Sequence, residues 1–378
     1  MTERIRVVHI VPTLDASGAE KQLALLAANT PKDRFDVQVI ALTRGGPYEK
    51  MLAEAGVQVH DIGKKLKGDP FALLRLIRLL KSLKPTIVQT WLFAANAYGR
   101  FAARRARVPH VIASERCVDS WKNKTQLTLD RWLMRWTDAV AVNSQAVKEF
   151  YAHQGIPREK LHVIPNAVTP AEPVGDRVAL RKEMGVKEES FVLGFVGRLW
   201  PQKRVDDLIW AADILRLAEW PIEVVIVGDG PRRQALERFV ENMKEQDAVL
   251  FLGQRADARR LIAGFDALVL PSDFEGMPNV VLEAMAAGTP VVASRIPGTT
   301  EVIADNETGL LFEPKRQSDL ARKVQRLLEE PGLGVRLAEN AKKVVAEKFT
   351  VDAMTKGYVG LYESLIGARS ASKGKIEP

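Results

Sequence analysis

The sequence contains one cysteine and five histidines among its 378 residues. A single cysteine, Cys117, excludes an internal disulfide framework and any metal site built from several thiolates, and it is typical of a reducing compartment. The histidines are scattered and show no metal-ligand spacing, so we expect no metal. The sequence also lacks an apolar run approaching the roughly 18 residues that a membrane-spanning helix needs.

The first apolar run, from Val7 to Pro12, is short and is interrupted by His9. It is too short and too broken for the apolar region of a signal peptide, so we expect a cytoplasmic protein.

Hydrophobic residues make up 46% of the chain and charged residues 27%, a globular balance that excludes a disordered chain. At about 150 residues per domain, the length predicts two domains.

The net charge of +8 is unevenly distributed along the chain. Residues 1–170 hold 26 lysines and arginines against 15 acidic residues, a net +11, whereas the remainder holds 29 against 32, a net −3. A basic half suggests an anionic partner, which could be nucleic acid, a membrane surface or an anionic substrate. Its basic groups are Lys64, Lys65, Lys67, Arg75, Arg78, Lys81 and Lys84, then Arg104, Arg105 and Arg107, and then Lys122, Lys124, Arg131 and Arg135 with Trp121, Trp132 and Trp136.

Short apolar strands alternate with helical stretches in both halves of the chain. Such alternation predicts parallel sheets covered by helices on both faces. Residues 169–176, which are rich in proline and polar side chains, form the predicted linker. We therefore predict a domain over 1–169, with a helix at about 351–366 packing back on it, and a domain over 170–350. Ligands of such sheets bind outside the carboxyl ends of the strands.

The segment from Pro271 to Pro290 has the highest density of functional signals. A predicted buried strand ends there in a loop with Glu275 and Gly276, and a helix follows Pro278. Helix N-termini attract anions, glycine permits close backbone approach, and carboxylates accept hydrogen bonds from sugar hydroxyls. Glu275 and Glu283 could line one mouth together, although each alone could be a loop cap or a solvated helix residue.

Two further strand-to-helix loops carry phosphate-compatible residues. Arg198 and Lys203 follow the predicted strand 191–196, where two cations suit a diphosphate or form a solvent-exposed pair at a charged helix start. Gly18 follows the first strand and opens a helix, as a phosphate-approaching glycine or a plain turn would.

These motifs resemble the retaining glycosyltransferases of family 4, which have the GT-B architecture. The segment with Glu275 and Glu283 is similar to the Glu-x7-Glu signature, and Gly197-Arg198-Leu199 with Lys203 is similar to the Gly-Arg-Leu…Lys-Gly element. The resemblance runs from about Ile5 to Tyr362 and also includes Ser17-Gly18-Ala19-Glu20, Ile164-Pro165-Asn166-Ala167-Val168, Val227-Gly228-Asp229-Gly230-Pro231 and Phe251-Leu252-Gly253. It implies an α/β fold with two doubly wound Rossmann-like domains facing across a cleft.

The resemblance also implies roles for individual residues. Arg198 and Lys203 would neutralise the donor diphosphate, and Gly18 would approach it from the opposite domain. Glu275 would hold the donor sugar and Glu283 the ribose, so the catalytic candidates are Arg198, Lys203 and Glu275. The backbone around Gln254 and Arg255 would meet the base. The full donor-binding set is Gly18, Gln254, Arg255, Gly276, Met277, Pro278, Asn279 and Glu283.

The implied activity is metal-independent transfer of a hexosyl group, with retention, from a nucleoside diphosphate sugar to a hydroxyl acceptor. The implied donor is a UDP-sugar in preference to a GDP-sugar, and the implied process is polysaccharide or glycolipid synthesis in the cell envelope. No cofactor is implied. The alternatives are a sugar-nucleotide epimerase, for which no acid/base residues are marked, and a catalytically silent sugar-nucleotide-binding module. A dinucleotide dehydrogenase is disfavoured, since no Gly-x-Gly-x-x-Gly follows the first strand.

The sequence departs from the family pattern at several positions. Ser17 and Ala167 stand where glycine is usual, and Arg204 replaces the glycine after Lys203. Where many relatives carry an acceptor-side histidine, this chain has Ser114-Glu115-Arg116-Cys117. Arg116 is therefore either a substrate contact or a structural partner of Glu115 or Asp119, and Asn143 is a second acceptor-side candidate.

The basic N-terminal half fits two interpretations. Its lysines and arginines could be simply solvated, or they could bind an anionic cytoplasmic membrane that carries a lipid-linked acceptor. The second interpretation predicts a peripheral protein on the inner face of the membrane. Nucleic acid is disfavoured as a partner because no recognised binding motif accompanies the charge.

Overall fold

The computed structural model describes residues 4–66, 68–118, 122–171 and 176–373, without the side chains of 369–373. The chain forms two compact units. Unit 1 contains the residues up to Ala167 and those from Val351 onward, and unit 2 contains Val168–Thr350. The described helices include none that is both long enough and apolar enough to cross a bilayer.

Unit 1 is built on a parallel sheet of seven strands in the order β3-β2-β1-β4-β5-β6-β7. Its strands are β1 (Ile5–Thr13), β2 (Phe35–Arg44), β3 (Gln58–Asp61), β4 (Ile87–Trp91), β5 (His110–Glu115), β6 (Ala139–Val142) and β7 (Leu161–Val163). Its helices are α1 (Gly18–Asn29), α2 (Tyr48–Glu54), α3 (Pro70–Leu83), α4 (Leu92–Ala106), α5 (Lys124–Leu133), α6 (Gln145–His153) and, after the second crossing, α15 (Val351–Lys373).

The central strands of unit 1 are apolar because both faces of the sheet are covered. Every residue of β4, β5 and β6 is buried, as expected for a parallel sheet between helical layers. Local signals fix the helix ends: the Asp69 side chain accepts a hydrogen bond from the Ala72 amide at the start of α3, with Pro70 in the first turn.

The last helix is part of the core of unit 1. Tyr358 and Tyr362 of α15 are fully buried in the same apolar cluster as Leu23 of α1 and Trp91 of β4. The rings of Tyr358 and Trp91 lie 6.1 Å apart. The chain therefore leaves unit 1, forms unit 2 and returns to complete the unit in which it began.

Unit 2 is built on a second parallel sheet, of six strands in the order β10-β9-β8-β11-β12-β13. Its strands are β8 (Phe191–Val196), β9 (Ile222–Val227), β10 (Val249–Gly253), β11 (Ala267–Leu270), β12 (Val291–Ser294) and β13 (Leu310–Phe312). Its helices are α7 (Arg177–Met184), α8 (Val205–Leu217), α9 (Arg233–Met243), α10 (Ala258–Leu261), α11 (Asn279–Ala287), α12 (Pro297–Thr300), α13 (Gln317–Glu329) and α14 (Leu333–Lys348). The two parallel α/β sheets confirm the predicted fold class.

The predicted linker spans the start of unit 2. Arg259 donates hydrogen bonds to the hydroxyl and carbonyl of Thr169 and to the Pro170 carbonyl, and the Asp176 side chain caps α7. Residues 172–175 lie outside the described residues. The described ends of this segment are therefore bonded to unit 2.

Buried His9 predicts a measurable pH dependence of stability. Desolvation lowers the pKa of His9 from 6.5 to about 3. Its Nδ1 accepts a hydrogen bond from Trp91 Nε1, whereas Nε2 has no partner among the described residues. The unfolded chain binds a proton here below pH 6.5 that the folded chain excludes, so stability falls as the pH drops.

We expect His9→Gln to remove this dependence. The difference in unfolding free energy between wild type and variant should change by about 1.4 kcal/mol per pH unit between roughly pH 6 and 4. Urea unfolding at several pH values measures it, with His153→Gln as the control at an exposed histidine. Identical pH profiles for wild type and His9→Gln would contradict the assignment.

Candidate active site

Two neighbouring strands of unit 2 deliver the main predicted site residues to one edge of the sheet. β8 pairs in parallel with β11, so both carboxyl ends lie at this edge. The loop after β8 carries Arg198 and Lys203, and the loop after β11 carries Glu275. The two loops are joined directly, because the Asp273 amide donates a 2.8 Å hydrogen bond to the Gln202 carbonyl.

Lys203 and Glu275 form a close ion pair. Lys203 Nζ lies 2.5 Å from Glu275 Oε1, and the two side chains are 17% and 9% exposed. Charge-assisted hydrogen bonds of this length are strong, and partial burial limits their screening by water. The structure thus brings together a cation and a carboxylate that are 72 residues apart in sequence.

Arg198 lies in the same loop as Lys203 but is exposed. Its guanidinium lies 5.8 Å from the centre of the Trp200 ring, and Trp200 is about half exposed. Arg198 therefore faces solvent beside an aromatic ring.

Glycines allow the loops after β8 and β9 to approach each other. Gly228 has a φ of 141°, and a Cβ atom there would lie 1.9 Å from the Gly197 carbonyl oxygen. A Cβ atom on Gly230 would likewise lie 2.7 Å from the Leu199 carbonyl oxygen. Side chains at Gly228 and Gly230 would therefore displace the loop that carries Arg198 and Lys203.

The loop before α11 is buried and closely packed. Gly276, Met277 and Pro278 are buried, and α11 begins at Asn279 with Pro278 as the preceding cap residue. The N-terminal turn of α11 thus opens directly after Glu275 and Gly276, an arrangement that favours an anion. Glu283 lies in this helix and is half-buried.

Gln254 and Arg255 follow β10, which is separated from β11 by the two strands β9 and β8 in the sheet order. Gln254 is exposed, whereas the Arg255 guanidinium donates to Glu183 at 2.6 Å and to Asp257 at 2.8 Å. Hydrogen bonds from Arg255 hold the pKa of the Asp257 carboxyl well below its usual range. Because these bonds occupy the Arg255 side chain, we expect a ligand at this position to contact the backbone of Arg255.

Gly18, the donor-binding candidate of unit 1, begins α1 directly after the loop that follows β1. It is exposed, and the Ser17 hydroxyl before it donates a hydrogen bond to Glu20. Farther along α1, the Gln22 amide exchanges two hydrogen bonds, of 2.7 and 2.8 Å, with the backbone of Ala167. This helix is thus tied to the last residue before the chain leaves unit 1.

Arg116 and Asn143 lie next to each other after β5 and β6. The Arg116 guanidinium donates to Tyr358 Oη at 3.1 Å and to Asn166 Oδ1, and it sits 5.3 Å from the Trp91 ring. Burial lowers the pKa of Arg116. Asn143 Nδ2 donates to the Arg116 carbonyl, while Asn143 Oδ1 and Arg116 Nε are buried without a partner among the described residues.

The structure shows partners for the Arg116 guanidinium that differ from Glu115 and Asp119, the two that the sequence suggested. The described partners of its guanidinium are Tyr358 and Asn166, and Glu115 contacts Lys122. Asp119 lies outside the described residues.

The sequence groups Lys122 with the basic residues of a surface, and the structure shows that this grouping is wrong for Lys122. Its side chain is fully buried, with Nζ 3.0 Å from Asp130 Oδ2, 3.3 Å from Glu115 Oε1 and 2.7 Å from Tyr151 Oη. Arg100, also buried, pairs with Asp130. Lys122 belongs to an internal ion network and not to a basic surface. Sequence reasoning missed the network because its members are 7 to 30 residues apart.

The described residues contain no cluster of three or more histidine, cysteine, aspartate or glutamate side chains that could hold a metal ion. The polar groups assembled at the edge of the unit 2 sheet are instead a lysine, an arginine, carboxylates and a helix N-terminus. Such a set can neutralise an anion and accept hydrogen bonds from hydroxyls.

Comparisons with known proteins identify related glycosyltransferases. The family model for glycosyl transferases group 1 matches residues 176–344, and that for glycosyltransferase family 4 matches residues 16–172. An Escherichia coli UDP-Gal:alpha-D-GlcNAc-diphosphoundecaprenol alpha-1,3-galactosyltransferase is 28% identical over 96% of this chain and 98% of its own. A Rhizobium meliloti lipopolysaccharide core biosynthesis glycosyltransferase, LpsD, is 25% identical over 97% and 100%.

Other alignments are shorter or show the fold alone. Three further relatives, each 32% identical, are matched over only 52 to 59% of their own length. Among solved structures, Anabaena HepE in complex with UDP-glucose superposes with a TM-score of 0.85 at 24% identity, over 96% of this chain and 100% of that chain. This likeness supports the GT-B architecture. With the two family models matching successive halves of the sequence, the chain belongs to the group 1 glycosyltransferases of family 4.

Proposed function

We propose that this glycosyltransferase moves a hexosyl group, with retention of configuration, from a UDP-sugar to a hydroxyl of a lipid-linked or polysaccharide acceptor. The observation that carries the proposal is the 2.5 Å pair of Lys203 and Glu275 at the carboxyl ends of β8 and β11. In this proposal the cation of the pair would bind a phosphate, and the carboxylate would accept hydrogen bonds from sugar hydroxyls.

The chemistry requires stabilisation of a leaving group. As the bond from the anomeric carbon to the diphosphate oxygen breaks, negative charge grows on the diphosphate. Lys203 and the more exposed Arg198 would stabilise that charge, as would the N-terminus of α11. Glu275 would orient the donor sugar. The acceptor proton would pass to a diphosphate oxygen, so the step needs no protein nucleophile and no metal ion.

The other donor contacts are proposed from their positions. Glu283 in α11 would accept hydrogen bonds from the ribose, and the buried Gly276, Met277 and Pro278 with Asn279 would surround the sugar and phosphates. The backbone at Gln254 and Arg255 would meet the base. In unit 1, Gly18 is the proposed phosphate contact at the start of α1.

Two comparisons support a uridine nucleotide over a guanosine one. The Anabaena structure holds UDP-glucose, and the Escherichia coli relative is named for UDP-Gal. The acceptor class rests on two relatives, one named for a diphosphoundecaprenol substrate and one for lipopolysaccharide core biosynthesis. Arg116 and Asn143 are the proposed acceptor-side residues of unit 1, from their positions after β5 and β6.

A panel of UDP- and GDP-sugars tests the proposed function. Nucleotide release is followed with lipid-linked acceptors and with soluble glycan acceptors, with and without EDTA. We expect acceptor-dependent release from one or more UDP-sugars that EDTA does not reduce. Isomerisation of the donor sugar without transfer would instead identify an epimerase, and binding without either reaction would identify a silent module.

We also propose that unit 1 binds an anionic membrane surface through the face formed by α3, α4 and α5. Phe71 is 71% exposed and Leu74 is 48% exposed on α3, beside the exposed Arg78 and Lys81. Apolar side chains flanked by basic ones are the pattern of interfacial helices. Lys67 and Trp121 of the predicted basic groups lie outside the described residues.

An aromatic and arginine cluster lies on α4, α5 and the turn Met134–Trp136 that follows α5. The Trp132 and Trp136 rings lie 4.4 Å apart, and Arg135 lies 4.9 Å from the Trp132 ring. Phe101 of α4 touches Trp136 and carries Arg105 over its ring. Tryptophan with arginine suits the headgroup region of a bilayer, where an amphipathic ring and a cation are both solvated.

Neutralising part of the α3 surface is expected to weaken membrane binding. Arg78→Gln with Lys81→Gln should lower partitioning onto vesicles containing anionic lipid by about 30-fold, at roughly 1 kcal/mol per basic residue. Vesicle co-sedimentation measures this, and the change should leave turnover of a soluble acceptor intact. Equal binding of the wild type to neutral and anionic vesicles would refute the membrane proposal.

A further inference from the structure

Arg204 has a left-handed backbone conformation at the start of α8. It follows Lys203 directly and has φ 47° and ψ 43°, in the left-handed region that glycine adopts most readily. The residue also ends the turn Pro201–Lys203 and precedes α8. This conformation costs an arginine more than a glycine. What an arginine adds at this position is therefore the set of contacts that its guanidinium makes.

The guanidinium of Arg204 is fixed on the first turn of α8. Its Nε lies 2.5 Å from Asp207 Oδ2, and its Nη2 lies 2.8 Å from Asp207 Oδ1. Asp207 is buried and also accepts a 2.7 Å hydrogen bond from Gln317 Nε2 at the start of α13. These two hydrogen bonds fix both the position and the orientation of the guanidinium plane.

The same guanidinium also reaches the loop that carries Glu275. Arg204 Nε lies 3.7 Å from Asp273 Oδ1, and Lys315 Nζ lies 3.7 Å from the same oxygen. That oxygen is buried and makes no direct hydrogen bond among the described residues. Asp273 therefore lies between two cations, two residues before Glu275 in sequence.

We propose that Arg204 is a positioning residue that sets the spacing of the Lys203 and Glu275 loops for the donor diphosphate. It lies next to Lys203 and pairs with Asp273 on the opposite loop. Two other contacts join these loops, the Lys203–Glu275 pair itself and the backbone hydrogen bond from the Asp273 amide to the Gln202 carbonyl, and neither fixes the spacing independently of the site residues. The proposal rests on the donor-binding role of Lys203 and Glu275 and assigns to Arg204 no contact with the donor.

Calorimetric titration with UDP tests the proposal, since it separates affinity from the fraction of folded protein. Arg204→Gly keeps the left-handed backbone and removes the guanidinium. It should weaken the Kd for UDP on the order of tenfold at unchanged stoichiometry, because small displacements of a binding group are costly. A purely structural role would lower the stoichiometry and leave the Kd unchanged.

Two further variants and a control complete the test. Asp273→Asn keeps the Arg204–Asp207 contact and should weaken UDP binding similarly, with the double variant no worse than Arg204→Gly. Arg204→Lys should recover part of the loss. Lys244→Gly, at another left-handed position at the end of α9, should bind UDP like the wild type.

The outcomes also separate this proposal from the one it rests on. Normal UDP affinity in both Arg204→Gly and Asp273→Asn, with a weakened Lys203→Ala, would overturn the positioning role alone. A wild-type protein that fails to bind UDP would overturn the uridine donor and the Arg204 role with it.

Discussion

Replacing Lys203 by alanine is expected to lower turnover of the nucleotide sugar by about 100- to 1000-fold, the usual cost of removing one group that stabilises developing charge. Lys203 Nζ is the cation in direct contact with Glu275, and it is held in a partly buried position. The substitution also leaves the Glu275 carboxylate without this partner, so its charge would repel the diphosphate. Initial rates of nucleotide release measure the loss.

The fold should survive this change. Lys203 is partly exposed, so its removal creates no large cavity, and the Glu275 carboxylate that loses this partner is itself 9% exposed to water. The melting temperature of Lys203→Ala should stay close to that of the wild type, and Lys182→Ala, at an exposed lysine of α7, is the matched control for activity. Turnover within twofold of the control would remove Lys203 from the catalytic assignment.

Replacing Lys122 by methionine is expected to destabilise unit 1 by about 3 to 5 kcal/mol, as breaking a buried ion pair generally does. The Lys122 ammonium is fully buried and contacts Glu115 and Asp130, while Arg100 pairs with Asp130. Without Lys122, Asp130 keeps its pair with Arg100, whereas the buried Glu115 loses the Lys122 ammonium. Methionine keeps an unbranched chain as far as the ε position and removes the ammonium group, so the loss reports mainly on charge.

Denaturant unfolding of Lys122→Met checks this prediction against Lys124→Met, at an exposed lysine two residues away. The control should unfold within about 0.5 kcal/mol of the wild type. Adding Glu115→Gln to Lys122→Met should recover part of the stability by restoring the balance of buried charge. Equal stability of the two single variants would show that the ion network does not stabilise the fold.

Much of the fold is predictable because it rests on local signals. Short β-branched runs predict the buried strands, and Asp69 with Pro70 marks the start of α3. Helix α4 is harder to predict: it begins at Leu92 with a φ of 66°, directly after β4 and without a side-chain cap. No composition rule signals a helix there, since the geometry depends on packing against neighbouring strands.

The candidate site is predictable where its residues belong to a motif and unpredictable where they depend on pairing. Lys203 and Glu275 are identifiable from their loops, but their contact follows from the adjacency of β8 and β11, which local sequence does not encode. Arg204 and Asp273 carry no motif signal as a pair. Lys122 has a surface-like sequence context and proves to be internal because its acidic partners come from β5 and α5.

The anomeric configuration of the product tests the central claim most directly. The wild-type protein is supplied with an α-linked UDP-sugar and its acceptor, and the coupling of the anomeric proton in the product is read by NMR. Retaining transfer at the Lys203–Glu275 site predicts an α-linked product from the wild type and almost none from Lys203→Ala. A β-linked product, or equal product from both proteins, would contradict it.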